Sequence, residues 1–176
     1  MTTKLGSKMV QLRPRLALAV AALVAAACVL TMTPAQAQRV VGHDPEGDAD
    51  FYDIATMSVQ HGQERVRFRI HAHDRTPYWY DVLVDTPGGK PWKYLVRWSA
   101  YQPHRVWVFN RKQVRTGNGT RCKLGSGREP TTRDVTFSVP VRCLMEPNRL
   151  RAKAKSFDDE TGRKDHTRWT RWARRG

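Results

Sequence analysis

The chain has 176 residues, 31 Lys and Arg against 16 Asp and Glu, a formal net charge of +15, and three cysteines. A balance this basic favours an anionic partner and says nothing about fold. The common hydrolase signatures are absent: there is no HExxH, and Ser58, Ser99, Ser126, Ser138 and Ser156 lie in no Gly-x-Ser-x-Gly context.

Lys4, Lys8, Arg13 and Arg15 precede an apolar run from Leu16 to Leu30 and then Ala35-Gln36-Ala37. That order predicts a signal peptide, residues 1–37, cleaved after Ala37. The competing reading is an uncleaved anchor, but the run is shorter than the ~20 residues a span requires. Pro14 separates Arg13 from Arg15, so no twin-arginine signal is present. Cys28 follows Ala26-Ala27, yet Ala25 stands where a lipoprotein signal carries a large aliphatic residue; a small residue inside the leader is the better account. Cleavage leaves residues 38–176, the size of one domain, and removes four bases, which lowers the charge from +15 to +11. The expected location is extracellular, at the cell envelope.

Gln38 to Asp53 holds Gly42, Pro45 and Gly47 and reads as a loop entering the first strand. Ile54 to Gln60 places Ile54, Thr56, Ser58 and Gln60 on one face and Ala55, Met57 and Val59 on the other. Glu64 to His73 alternates Val66, Phe68, Ile70 and Ala72 against Arg65, Arg67, Arg69, His71 and His73, which predicts a strand with one wet face. His61-Gly62-Gln63 joins the two as a hairpin. Tyr78 to Thr86 is a further strand, stopped by Pro87-Gly88-Gly89; Trp92 to Ser99 and His104 to Asn110 form another hairpin through Tyr101-Gln102-Pro103. Thr116 to Pro130 shifts to Gly, Ser, Asn and charge and reads as loop with one short edge strand. Asp134 to Val139 and Asn148 to Phe157 resume the alternation, and the basic, Trp-containing tail is either a last edge strand or a short ordered segment. Seven or eight strands without a long helical pattern predict an all-β fold, an antiparallel Ig-like or jelly-roll β-sandwich.

With Cys28 in the leader, Cys122 and Cys143 remain as an even pair outside the cytoplasm, and a disulfide between them is expected. Closing a loop of about twenty residues contributes roughly 3 kcal/mol in the chain-entropy model. Two metal-binding thiolates are the alternative, but neighbouring CxxC or His ligands are missing.

Asp44, Glu46, Asp48, Asp50 and Asp53 crowd five acids into ten residues. Hard oxygens in a Gly-containing loop suit Ca²⁺, although the spacing does not satisfy the EF-hand pattern; a solvated turn is the other reading. His71 and His73 share a strand face and suit a transition metal only if a third ligand arrives from elsewhere; polar filler is the bland account. Arg65, Arg67 and Arg69 form one basic stripe, and Arg149, Arg151, Lys153 and Lys155 a second, giving one positive face if the two strands are neighbours. Trp169 and Trp172 lie among arginines, where flat rings stack on sugars or sit at a lipid interface.

Several of these segments together resemble a family of small secreted β-sandwich proteins of high-GC Gram-positive bacteria: Asp44-Pro45-Glu46-Gly47-Asp48, Asp53-Ile54 opening a strand, Val84 to Thr86, the Val-Pro-x-x-Cys-Leu from Val139 to Leu144, and the Trp-rich end. The acidic opening is also similar to that of family 9-like carbohydrate-binding modules and related Ig-like sandwiches, a resemblance that implies a structural calcium there.

The functional expectation is a non-catalytic binding or structural module at the cell envelope. Its ligand would be an anionic wall polymer or glycan rather than nucleic acid, held through Arg65, Arg67, Arg69, Trp169 and Trp172. The rival is a secreted glycan hydrolase, for which Asp81 and Asp85 are the acids to test. A secreted inhibitor is a third option with no motif behind it.

Overall fold

Side-chain alternation carries over into strands almost wherever it occurs. A computed structural model describes residues 37–44, 52–74, 76–88, 92–116, 120–121, 126–127, 131, 133–157, 162 and 164–176. Twelve strands appear among them: β1 (Gln38–His43), β2 (Ile54–His61), β3 (Arg65–Ala72), β4 (Trp79–Asp85), β5 (Tyr94–Ser99), β6 (Val106–Asn110), β7 (Thr120–Arg121), β8 (Ser126–Gly127), β9 (Asp134–Pro140), β10 (Arg149–Phe157), β11 (Lys164–His166) and β12 (Ala173–Arg174). A short helix, α1 (Arg111–Thr116), and a 3-10 turn, Val141–Leu144, complete the described elements. Residues 1–36 of the expected leader lie outside the described residues. So do Glu46, Asp48, Asp50 and Cys122.

Every pairing is antiparallel, and the strands form two sheets. The first runs β1-β2-β3-β9-β8; the second runs β11-β10-β4-β5-β6-β7, with β12 also on β10. Phe68, Ile70, Phe137 and Met57 from the first sheet and Tyr80, Val82, Val96, Trp98 and Leu150 from the second belong to one buried core, a sandwich-like arrangement. Phe68 and Phe137 are directly paired across β3 and β9, with ring centroids 5.4 Å apart.

Three local features depart from simple alternation. β1 falls in the stretch expected to be loop; its Val40 and Gly42 face inward while Arg39, Val41 and His43 face out. Ile54 lies inside with Met57 and Val59, opposite to the sequence expectation, because a bulge at Ala55 shifts the β2–β3 register by one residue. The third is α1, which opens on a reciprocal cap. The Gln113 backbone N–H donates to Asn110 Oδ1 at 2.9 Å, and the Asn110 N–H donates to Gln113 Oε1 at 2.8 Å.

The tail resolves as edge structure. Residues 164–176 run along the free edge of β10, from β11 at Lys155–Phe157 to β12 at Arg149–Leu150. Between them two threonines clip the tail on. Thr167 N–H donates to Ala154 O and Thr170 N–H to Ala152 O, while the Ala154 and Ala152 N–H groups donate back to Thr167 Oγ1 and Thr170 Oγ1, both at 3.1 Å. Hydroxyls thus replace the main-chain acceptors of an ordinary ladder. The tail also reaches the first sheet, through Arg168 N–H to His43 O and Gly176 N–H to His61 O. Gly42 permits the approach, since a Cβ there would sit 2.9 Å from Arg168 O.

Candidate functional site

The outer face of the first sheet is built from three registered rows. Arg39, Gln60, Arg67 and Ser138 make the first; Val41, Ser58, Arg69 and Thr136 the second; His43, Thr56, His71 and Asp134 the third. A groove of ≈ 230 Å³ opens among Arg39, Ser58, Gln60, Arg67, Arg69 and Thr136. Its lining alternates guanidinium forks with hydroxyl and amide groups, a combination that suits phosphate or carboxylate oxygens.

Charge on this face is poorly offset. Asp134 is the single carboxylate in the three rows, and it holds Arg69 Nε at 3.2 Å and His71 Nδ1 at 3.3 Å. Burial pushes the Asp134 carboxyl up, but its hydrogen bonds and charge contacts with Arg69 and His71 outweigh that and hold it below its ordinary value. Arg69 is 54% exposed, so its ion pair is a weak one. Arg39 and Arg67 are exposed and form no ion pair with any described residue. Arg65, at the end of the stripe, donates from Nε to Ser138 Oγ at 3.0 Å.

The two basic stripes do not merge into one face. β3 lies in the first sheet and β10 in the second, so Arg65, Arg67 and Arg69 are separated from Arg149, Arg151, Lys153 and Lys155 by the core. Trp169 and Trp172 belong with the second stripe. Arg151 sits 5.1 Å from the Trp169 ring centroid and 4.9 Å from that of Trp172, which also takes Arg149 at 5.2 Å. Arg151 Nε donates to Asp85 at 2.9 Å. The expected ligand set is therefore split, and the two tryptophans serve as covers for arginines of their own sheet.

Asp81 and Asp85 share the outer face of β4, as expected, but each is engaged by a guanidinium. Arg97 holds Asp81 through two bonds of 2.6 Å, and Arg151 holds Asp85. Of the acidic opening, Asp44 is half-buried after β1 and Asp53 is buried before β2. Among the described residues no group of three His, Cys, Asp or Glu side chains is arranged to hold a metal. His71 faces outward onto Asp134; His73 lies past the end of β3. Cys143 is half-buried in the 3-10 turn, packed against the core.

Two buried residues escaped the sequence reading. Asp165 accepts the Ile54 N–H at 2.6 Å and the N–H of His166, tying β11 to the start of β2. His61 is fully buried, with Nδ1 3.4 Å from Ala173 O, and burial holds its pKa below the ordinary value. His61 is the last residue of β2 and Asp165 the middle one of the three-residue β11, positions that periodicity does not flag. No helix among the described residues is long and apolar enough to cross a membrane. No family model matches the chain, and neither a curated protein nor a solved structure is detectably similar to it.

Proposed function

We propose that the protein is a secreted, non-catalytic binding module of the cell envelope, and that it takes an anionic polymer on the outer face of its first sheet. The observation that carries this reading is the groove ringed by Arg39, Arg67 and Arg69, with hydroxyl and amide groups between them and one carboxylate in the surrounding rows. The leader-like N-terminus supports the location, and the engagement of Asp81 and Asp85 by arginines speaks for binding over hydrolysis.

The strand order supports an immunoglobulin-like sandwich of variable type. β2, β3, β9 and β8 take the places of strands A, B, E and D, and the tail strands, β10, β4, β5 and β6 those of G, F, C, C′ and C″. The Cys122–Cys143 disulfide belongs to the same proposal, tying the segment before β8 to the turn between β9 and β10.

Binding to long-chain inorganic polyphosphate tests the reading. With two or three guanidiniums engaged, affinity should fall roughly 7- to 20-fold between 50 and 200 mM salt, by analogy with flexible single strands. Arg67→Gln should lower the salt slope by about 0.7, whereas Lys112→Gln on α1 should leave it unchanged. Salt-independent binding, or equal slopes for the two variants, would overturn the assignment. The exported protein should also begin at Gln38 and partition with cell-wall fractions.

A further inference from the structure

We propose that the outer face of the second sheet carries a second, independent ligand site, which takes an acidic sugar unit: a pyranose ring bearing a carboxylate. The site is a cavity of ≈ 320 Å³ lined by Trp79, Asp81, Arg97, Lys155, Phe157 and Lys164, within the size range of small-molecule pockets.

Each wall of the cavity has a distinct chemistry. Trp79 on β4 and Phe157 on β10 are stacked, with centroids 6.0 Å apart and planes 20° from parallel, Arg97 lying over the Trp79 ring at 5.9 Å and Lys164 over that of Phe157. The stacked pair gives the cavity one apolar wall, against which the C–H groups of a sugar pack. Beside it, Arg97 and Asp81 are locked together by two bonds of 2.6 Å. That pair is neutral as a unit and rigid, and the lone pairs of Asp81 that Arg97 leaves unused accept from ligand hydroxyls.

The remaining charge selects the ligand. Lys155 stands opposite Asp81 in the β10–β4 register, and Lys164 Nζ lies 5.5 Å from the Phe157 ring. Both lysines are exposed, and neither forms an ion pair with a described residue. Since Asp81 offsets Arg97, two ammonium groups are left beside the aromatic wall. A neutral sugar uses the aromatic wall and leaves the lysines idle; free phosphate uses the lysines and leaves the wall idle. A uronate uses both. This site shares no residue with the arginine groove of the first sheet, so either assignment stands or falls without the other.

The test is a titration of the intact exported protein with tetragalacturonate, maltotetraose and inorganic phosphate, read by tryptophan fluorescence and by the indole N–H resonance of Trp79. Tetragalacturonate should bind roughly tenfold more tightly than maltotetraose, the gain expected from two exposed charge contacts. Inorganic phosphate should leave the Trp79 resonance unmoved. Trp79→Ala should abolish binding. The surface variant Lys155→Gln/Lys164→Gln, which keeps the core intact, should bring the two oligosaccharides to equal affinity, and Arg67→Gln should leave the galacturonate affinity unchanged. Equal binding of the acidic and neutral oligomers by the wild type, no binding of tetragalacturonate at millimolar concentration, or a double-lysine variant that still prefers the acidic oligomer would each overturn the proposal.

Discussion

The threonine clips make the most specific stability prediction. Thr170→Val and Thr167→Val keep volume and β-branching, so each removes a hydroxyl without opening a cavity or changing strand preference. Ala152 and Ala154 are fully buried, and their N–H groups then lose the acceptors that now stand at 3.1 Å. A buried donor left without a partner costs about 1–3 kcal/mol. For a domain of this size, each kcal/mol corresponds to roughly 3–5 °C in Tm. The tail should stay attached, because the Thr170 and Thr167 N–H groups still donate to Ala152 O and Ala154 O.

Thermal melts and amide hydrogen exchange separate this account from a general loosening. Each Val variant should speed exchange chiefly at one amide, Ala152 for Thr170 and Ala154 for Thr167. Thr→Ser at either position keeps the oxygen and should lose less stability than Val. Val variants that melt with the wild type, or Ser variants that fall as far as Val, would refute the claim that the hydroxyls complete the β10 edge.

Other outcomes follow from single features of the fold. Gly127→Ala should destabilise severely, because a Cβ there overlaps the Pro103 carbonyl oxygen and lies 2.8 Å from Trp98 Nε1; denaturant midpoints measure it. His61 is kept neutral by burial, so its folded pKa lies below the unfolded value of 6.5 and its contribution is complete above pH 6.5. As pH falls below 6.5 the unfolded chain gains the proton first; stability should decline until the folded pKa is passed, and His61→Gln should flatten that limb relative to wild type. Reduction of the proposed Cys122–Cys143 bond, or Cys143→Ser, should cost about 2–5 kcal/mol in chemical denaturation. The two readings of the acidic opening separate on chelation: a calcium held by Asp44, Asp48 and Asp53 adds roughly 2.7 kcal/mol at a hundredfold excess over Kd, lost with EDTA or Asp48→Ala, whereas a solvated loop gives superimposable melts.

Period-two alternation carries most of the fold because one face of each sheet is buried and the other wet. β3 and β10 are legible for that reason, with Val66, Phe68, Ile70, Leu150, Ala152 and Ala154 inside. β1 is not, because Val40 and Val41 are adjacent and Gly42 supplies the second inward position with no side chain. The inversion of Ile54 is hidden for a related reason: a one-residue bulge is a backbone event, and Ala55 has no composition that marks it. The Asn110-x-x-Gln113 cap of α1 was readable in principle but is too short to be supported by helical periodicity. Of the candidate site, the basic stripes are visible in sequence and their separation is not. Which strands share a sheet depends on how the chain crosses between layers, and local pattern does not encode that.

That separation decides what each stripe does, because neighbours across the sheet set the electrostatics of an arginine more than its own strand does. On β10, Arg151 faces Asp85 in register and is 34% exposed beside a carboxylate that is 7% exposed. Two tryptophan rings flank it, so its charge is consumed in holding the tail to the sheet. On β3, Arg67 faces Gln60 on one side and Ser138 on the other. Neutral spacers of this kind keep the guanidiniums of Arg39 and Arg67 from standing directly opposite each other, where like charges destabilise a sheet. They leave the positive potential over the groove without a carboxylate between them. The first sheet therefore tolerates an unbalanced face at little cost to folding, and that unbalanced charge is what the proposed anion binding rests on.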